Sequence, residues 1–132
     1  MYELTFWTYI ITNAYKGTLY IGHTDDIGSR MEQHILGAFE GFSKKYKLKH
    51  LIWYQEFETR DEAFKKERQM KEWKRQWKLN VIEEVNPMWI DLNTVPFWPL
   101  PDIDLYPELY ATCLEHRLDP DIRRDERRYL EG

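Results

Sequence analysis

The hydrophobic period changes within the first 36 residues, and that change restricts the folds open to the chain. Residues 4–12 (LTFWTYIIT) are β-branched and aromatic, residues 13–17 (NAYKG) have turn character, and residues 18–22 (TLYIG) are strand-like again. Two such runs around a short Gly-containing turn read as a β-hairpin, which places Tyr9 and Tyr20 on adjacent strands. Thr24, Asp25 and Asp26 then supply helix N-caps, and Ile27, Met31, Ile35 and Ala38 recur at helical spacing. This predicts a helix over residues 26–36, ended by Gly37 and Gly41.

Further along, residues 48–57 (LKHLIWYQEF) look like a third strand. Thr59 and Glu62 form a capping box that opens the longest helix, expected to reach about residue 77, and a shorter helix is expected over residues 78–85. It should stop at Asn86, because Pro87 disfavours helical backbone in the residue before it. The order β-β-α-β-α-α predicts a small α/β domain, a three-stranded sheet flanked by helices. Pro96, Pro99, Pro101 and Pro107 follow among aromatic and acidic residues, so the regular core is expected to end near Leu92. The chain thus divides into a domain, residues 1–92, and a C-terminal extension, residues 93–132, packed on the domain or binding a partner.

Charge follows the same division. Of 19 basic and 23 acidic residues, residues 1–92 hold 14 of each, leaving 5 and 9 in the extension, so the acidity belongs to the tail. Lys44, Lys45, Lys47 and Lys49 cluster without an acid between them, and residues 65–78 carry seven basic side chains, Lys71 and Lys74 among them, against Glu67 and Glu72. Such clusters are the footprint of a phosphate-backbone partner, although a solvated helix face reads the same way. No apolar run approaches the roughly 20 residues of a membrane span, and no signal-peptide pattern is evident, so a cytoplasmic protein is expected. Cys113 is the single cysteine, which excludes an internal disulfide and a thiolate metal site.

Several polar residues interrupt the apolar pattern. Taking about 100° per residue from Ala63, Met70 lies near −20°, Trp73 near −80°, Phe64 near +100° and Glu67 near +40°, within the apolar side. A carboxylate there needs a cation. A salt bridge to Lys71 or Arg30, or simple exposure at the stripe's edge, answers that need; so does a metal, and a lone carboxylate with several waters suits Mg²⁺. Arg30 and His34 are four apart and share a helix face, where the arginine either braces the sheet or clamps a phosphate. Tyr9 and Tyr20 each read as packing residues when taken alone. Two tyrosines from one hairpin, His23 after the second strand, the Arg30/His34 pair and Glu67 together form a constellation that packing does not explain.

That constellation resembles the GIY-YIG nuclease family. Its two name-giving motifs appear as Thr8-Tyr9-Ile10 and Tyr20-Ile21-Gly22, followed by Arg30, Glu67 and Asn86 in "VNPMW". The likeness runs from about residue 6 to residue 92 and is strongest to the small, single-domain bacterial branch, similar to the nuclease domain of the excision-repair endonuclease. Thr8 replaces the motif's glycine, which leaves the local backbone shape open.

The resemblance implies a three-stranded antiparallel sheet and a metal-dependent endonuclease that hydrolyses phosphodiester bonds with one divalent metal, Mg²⁺ or Mn²⁺. In it Glu67 is the metal ligand, and Arg30 stabilises the phosphorane-like transition state. Tyr20 or Tyr9 activates or positions water, with the lean toward Tyr20, while His23, His34 and Asn86 complete or support the site. Lys44, Lys45, Lys47, Lys71 and Lys74 are expected to meet nucleic acid, DNA before RNA, with weak sequence selectivity, and a role in DNA repair goes with it. The alternative is a nucleic-acid-binding or protein-interaction module that kept the fold and lost the chemistry. Removal of the tail, which either packs, docks a partner or restrains the basic groove, is expected to leave activity intact or raise it.

Overall fold

The computed structural model describes residues 5–37, 47–95 and 100–118. Three strands, β1 (Phe6–Thr12), β2 (Leu19–Thr24) and β3 (His50–Phe57), form an antiparallel sheet in the order β2-β1-β3. The hairpin turn is held by Gly17 N–H on the Ala14 carbonyl at 2.9 Å and Thr18 N–H on Asn13 Oδ1 at 3.0 Å. Helix α1 (Ile27–Leu36) is capped by Asp26, whose carboxylate accepts from Ser29 N at 3.1 Å and Ser29 Oγ at 2.9 Å. It ends at Gly37, whose φ of 68° lies in the left-handed region that glycine enters without strain. Helix α2 (Arg60–Lys71) opens at the Thr59 and Glu62 pair expected from its sequence: Glu62 N–H donates to Thr59 Oγ1 at 3.2 Å, and the Glu62 carboxylate turns back to accept from the Thr59 hydroxyl at 2.9 Å.

The second half of the helical region departs from expectation. α2 stops at Lys71, and α3 (Arg75–Val85) begins after an extended Lys74, so the break lies near Trp73 and not at residue 77. Neither Gly nor Pro marks it. Packing decides it: the turn lets Trp73 reach the same core as Leu79 and Ile82 of α3. Asn86 ends α3 before Pro87, as expected.

The sheet separates two cores. On the α1 side lie Tyr9, Ile11, Met31, Leu48, Leu51 and Ile90; on the α2/α3 side lie Ile10, Ile21, Ile52, Met70, Ile82 and Trp89. Each large apolar side chain buried this way contributes about 1.5–3 kcal/mol before the entropy of ordering it is subtracted. A register irregularity between Ile10 and Ile11 against β3 leaves Ile52 as the extra residue, so the consecutive Ile52 and Trp53 face the same α2/α3-side core.

The regular core does not end near Leu92. A fourth helix, α4 (Pro107–Cys113), places Tyr110 and Cys113 in the α1-side core beside Leu92 and Val95, and a single helical turn (Leu114–His116) follows it. Leu118 N–H reaches the Trp89 carbonyl at 2.8 Å, Asp91 N–H the His116 carbonyl at 2.8 Å, and Ile90 bridges Arg117. Removing everything after Leu92 would therefore open this core. Among the described residues, no helix is long and apolar enough to cross a membrane.

Candidate active site

Strand register sets the site. Tyr9 pairs with Gly22 and Ile11 with Tyr20, so both tyrosines stand on the α1 face; Thr8 pairs with His23, which stands on the α2 face. Because β2 is an edge strand, the two groups of side chains are neighbours around that edge.

On the α1 face Tyr9 is fully buried and its hydroxyl lies 2.9 Å from His34 Nε2. Tyr20 completes an aromatic triangle, its ring 6.5 Å from that of Tyr9 and 5.8 Å from that of His34. Burial, then the neighbouring Tyr20, push the Tyr9 phenol well above its ordinary range. Burial, then the Arg30 guanidinium, push His34 down to about 4. A neutral phenol and a neutral imidazole thus share the hydrogen bond at neutral pH. Arg30 stands one turn before His34 on α1 and acts electrostatically on both Tyr9 and His34.

On the α2 face a carboxylate meets two basic side chains. Glu67 is buried, and its Oε1 accepts from His23 Nδ1 at 3.0 Å, while its Oε2 meets Lys71 Nζ at 3.5 Å. The His23 ring packs edge-on against Phe64 at 5.2 Å. Lys71 crosses between the groups, since its ammonium also lies over the Tyr20 ring, 5.8 Å from the centroid. The sheet and α2 are tied together at Thr8, whose hydroxyl donates to the Ala63 carbonyl at 2.7 Å. Thr8 keeps regular pairing with His23 and Gln55, so the residue that replaces the motif glycine anchors the helix bearing Glu67.

Residues 5–80 match the GIY-YIG family, described as the GIY-YIG catalytic domain. The chain belongs to the GIY-YIG family. A UPF0213 protein of Staphylococcus aureus strain Mu3 is 35% identical over 74 residues, 56% of this chain and 90% of that one, and the UPF0213 protein of strain N315 matches with the same figures. The solution NMR structure of a UPF0213 protein from Bacillus halodurans aligns with a TM-score of 0.41 at 22% identity, over 62% of this chain and 86% of that one.

In this GIY-YIG domain, Tyr9, Tyr20, His34, His23 and Glu67 come together around β2, with Arg30 beside them. Asn86, expected to complete or support the site, lies in the scaffold behind it. It is fully buried, its amide donates to the Ile52 and Ile90 carbonyls at 2.9 Å each, and its Oδ1 accepts from Ile90 N–H at 2.9 Å. Both amide hydrogens are spent on backbone, so Asn86 pins β3 to the segment after α3 and offers no group to a substrate. Lys47 and Lys74 are exposed, whereas Lys71 is half-exposed and belongs to the ion-pair cluster. Lys44 and Lys45 lie outside the described residues.

Sequence reasoning missed the role of Gly22. A Cβ built there would lie 2.5 Å from the Tyr9 hydroxyl and 2.7 Å from its Cζ. The motif glycine is therefore the space in which the Tyr9 ring lies. A glycine inside a strand is a general sign of such close approach and was the available signal.

Proposed function

We propose that the chain is a metal-dependent endonuclease that hydrolyses phosphodiester bonds of nucleic acid, DNA before RNA, with weak sequence selectivity. The observation that carries this reading is the meeting, around one edge strand, of two tyrosines, a histidine and an arginine on one face with a buried carboxylate on the other. Glu67 would hold the metal. Among the described residues no group of three or more His, Cys, Asp or Glu side chains is placed to hold one. A single carboxylate fits a hard cation that keeps most of its waters and shares oxygens with a substrate phosphate. Bound there, Mg²⁺ or Mn²⁺ supplies positive charge against the phosphate oxygens.

The chain's own residues divide the remaining work. Tyr9, fully buried and with its phenol driven upward, is a poor base and serves to hold His34. Tyr20 is only partly buried and has the Lys71 ammonium over its ring, which favours it as the group that takes a proton from water. Arg30 supplies a fixed fork of donors for the charge that develops on the phosphate. His23 orients Glu67 through Nδ1. Lys47 and Lys74 would neutralise backbone phosphates without reading bases. The non-catalytic alternative keeps one observation in its favour: both Glu67 oxygens are already satisfied by His23 and Lys71, as in a structural ion pair.

Cleavage of single-stranded, duplex and branched DNA and RNA, with Mg²⁺, Mn²⁺ or chelator, decides between them. Wild type should cut in a metal-dependent way, and Glu67→Ala and Arg30→Ala should each lose about 100-fold or more while remaining folded. Retained binding with no cutting by wild type under any of these conditions would overturn the nuclease reading.

A further inference from the structure

We propose that Lys71 couples metal binding to nucleic-acid binding, acting as a resident counter-ion that is exchanged between Glu67 and a substrate phosphate. The proposal rests on the nuclease reading above and adds a role beyond that of a backbone-contacting lysine. The sheet puts the tyrosines on one face and the carboxylate on the other, and Lys71 touches both groups. Its Nζ lies 3.5 Å from Glu67 Oε2 and 5.8 Å from the centroid of the Tyr20 ring.

The two Glu67 oxygens differ in consequence. Oε1 is held by His23 Nδ1 at 3.0 Å, a side chain fixed in turn by its strand and by the Phe64 ring. Oε2 is held by a flexible, half-exposed lysine at a longer distance. Lys71 must give up Oε2 for Glu67 to ligate a cation fully, and its ammonium is then left over Tyr20 without its carboxylate. A phosphate oxygen arriving at the site replaces that lost partner. Lys71 thus opposes metal binding in the free protein and ceases to oppose it once nucleic acid is present. By linkage, metal must tighten nucleic-acid binding by the same factor. The arrangement would keep Glu67 paired when no substrate is present.

Mn²⁺ binding to the full chain, followed by electron paramagnetic resonance with and without a phosphorothioate oligonucleotide that resists cleavage, tests this. In wild type the oligonucleotide should tighten Mn²⁺ by about 5-fold or more, within the usual range for coupled sites. Lys71→Met keeps most of the apolar stem; it should bind Mn²⁺ more tightly than wild type without oligonucleotide and show coupling close to 1. Lys71→Arg, which keeps the charge, should retain part of the coupling. Equal coupling in wild type and Lys71→Met, with Mn²⁺ binding still lost in Glu67→Gln, would overturn this proposal and leave the nuclease reading standing. Mn²⁺ binding that Glu67→Gln does not alter would overturn both. Thermal melts of each variant report whether the fold is retained.

Discussion

The two faces of the sheet handle buried polar groups in opposite ways. On the α1 face Tyr9 and His34 are both buried and both neutral, with burial pushing the phenol up and the imidazole down to about 4. On the α2 face the buried Glu67 is paired with His23 and with Lys71, whose side chain is half in solvent. The difference follows from access. A deep site can hold polar groups only by keeping them uncharged and hydrogen-bonded, whereas a site at an exposed edge can hold ions because their partners remain partly hydrated.

The largest expected effect comes from a truncation that falls mainly on the α1 face. Truncation after Leu92 removes Val95, Tyr110 and Cys113 from the core that contains Tyr9 and Met31. Stability should fall by on the order of 3–5 kcal/mol, as for other large core deletions. Urea unfolding monitored by near-ultraviolet circular dichroism measures it, and an unchanged midpoint would show that the extension adds nothing to this core. Activity should fall with stability, contrary to the expectation drawn from the sequence.

Next is the pH response of the neutral face. His34 titrates near 6.5 when unfolded and at about 4 when folded. Below pH 6.5 the unfolded chain therefore takes up a proton that the folded chain refuses. Stability present above pH 6.5 is lost as pH falls toward 4, by up to about 3 kcal/mol. Replacing His34 with Gln should flatten that decline in urea midpoints measured across pH 7 to 4; an equally steep decline in the variant would place its cause elsewhere.

The smallest effect sharpens the comparison at the seam between strands. Gly22→Ala puts a methyl group against the Tyr9 ring and should cost about 1–3 kcal/mol as an overpacked core. If the two faces are separable, it should disturb the Tyr9–His34 bond while leaving the His23–Glu67 pair intact. The imidazole NMR resonances of the two histidines distinguish these: His34 should shift and His23 should not.

Much of this organisation was legible in local pattern. The hairpin, the Asp26 cap, the Thr59 cap with Glu62 and the Asn86 stop each rest on a few neighbouring residues, and the structure reproduces them. Glu67 stood out because a carboxylate sat inside an apolar stripe; of the partners weighed for it Lys71 is observed, joined by His23, which was not among them. The break at Trp73 was not legible, since it carries no Gly or Pro and depends on a core that Leu79 and Ile82 complete from another helix. Nor was the part played by Tyr110 and Cys113, because prolines and acidic residues around them masked a short helix.

The sequence by itself determined the element types, the helix caps and the set of reactive side chains, because these depend on spacing and on backbone preferences within a few residues. Only the tertiary structure decided which of those side chains are buried against one another and which join an ion-pair cluster at the sheet edge. Those outcomes depend on partners brought from distant positions, as when Tyr9 meets His34 and His23 meets Glu67. It also decided that Asn86 is scaffold and Gly22 is space, since both roles exist only where separate strands and helices come into contact.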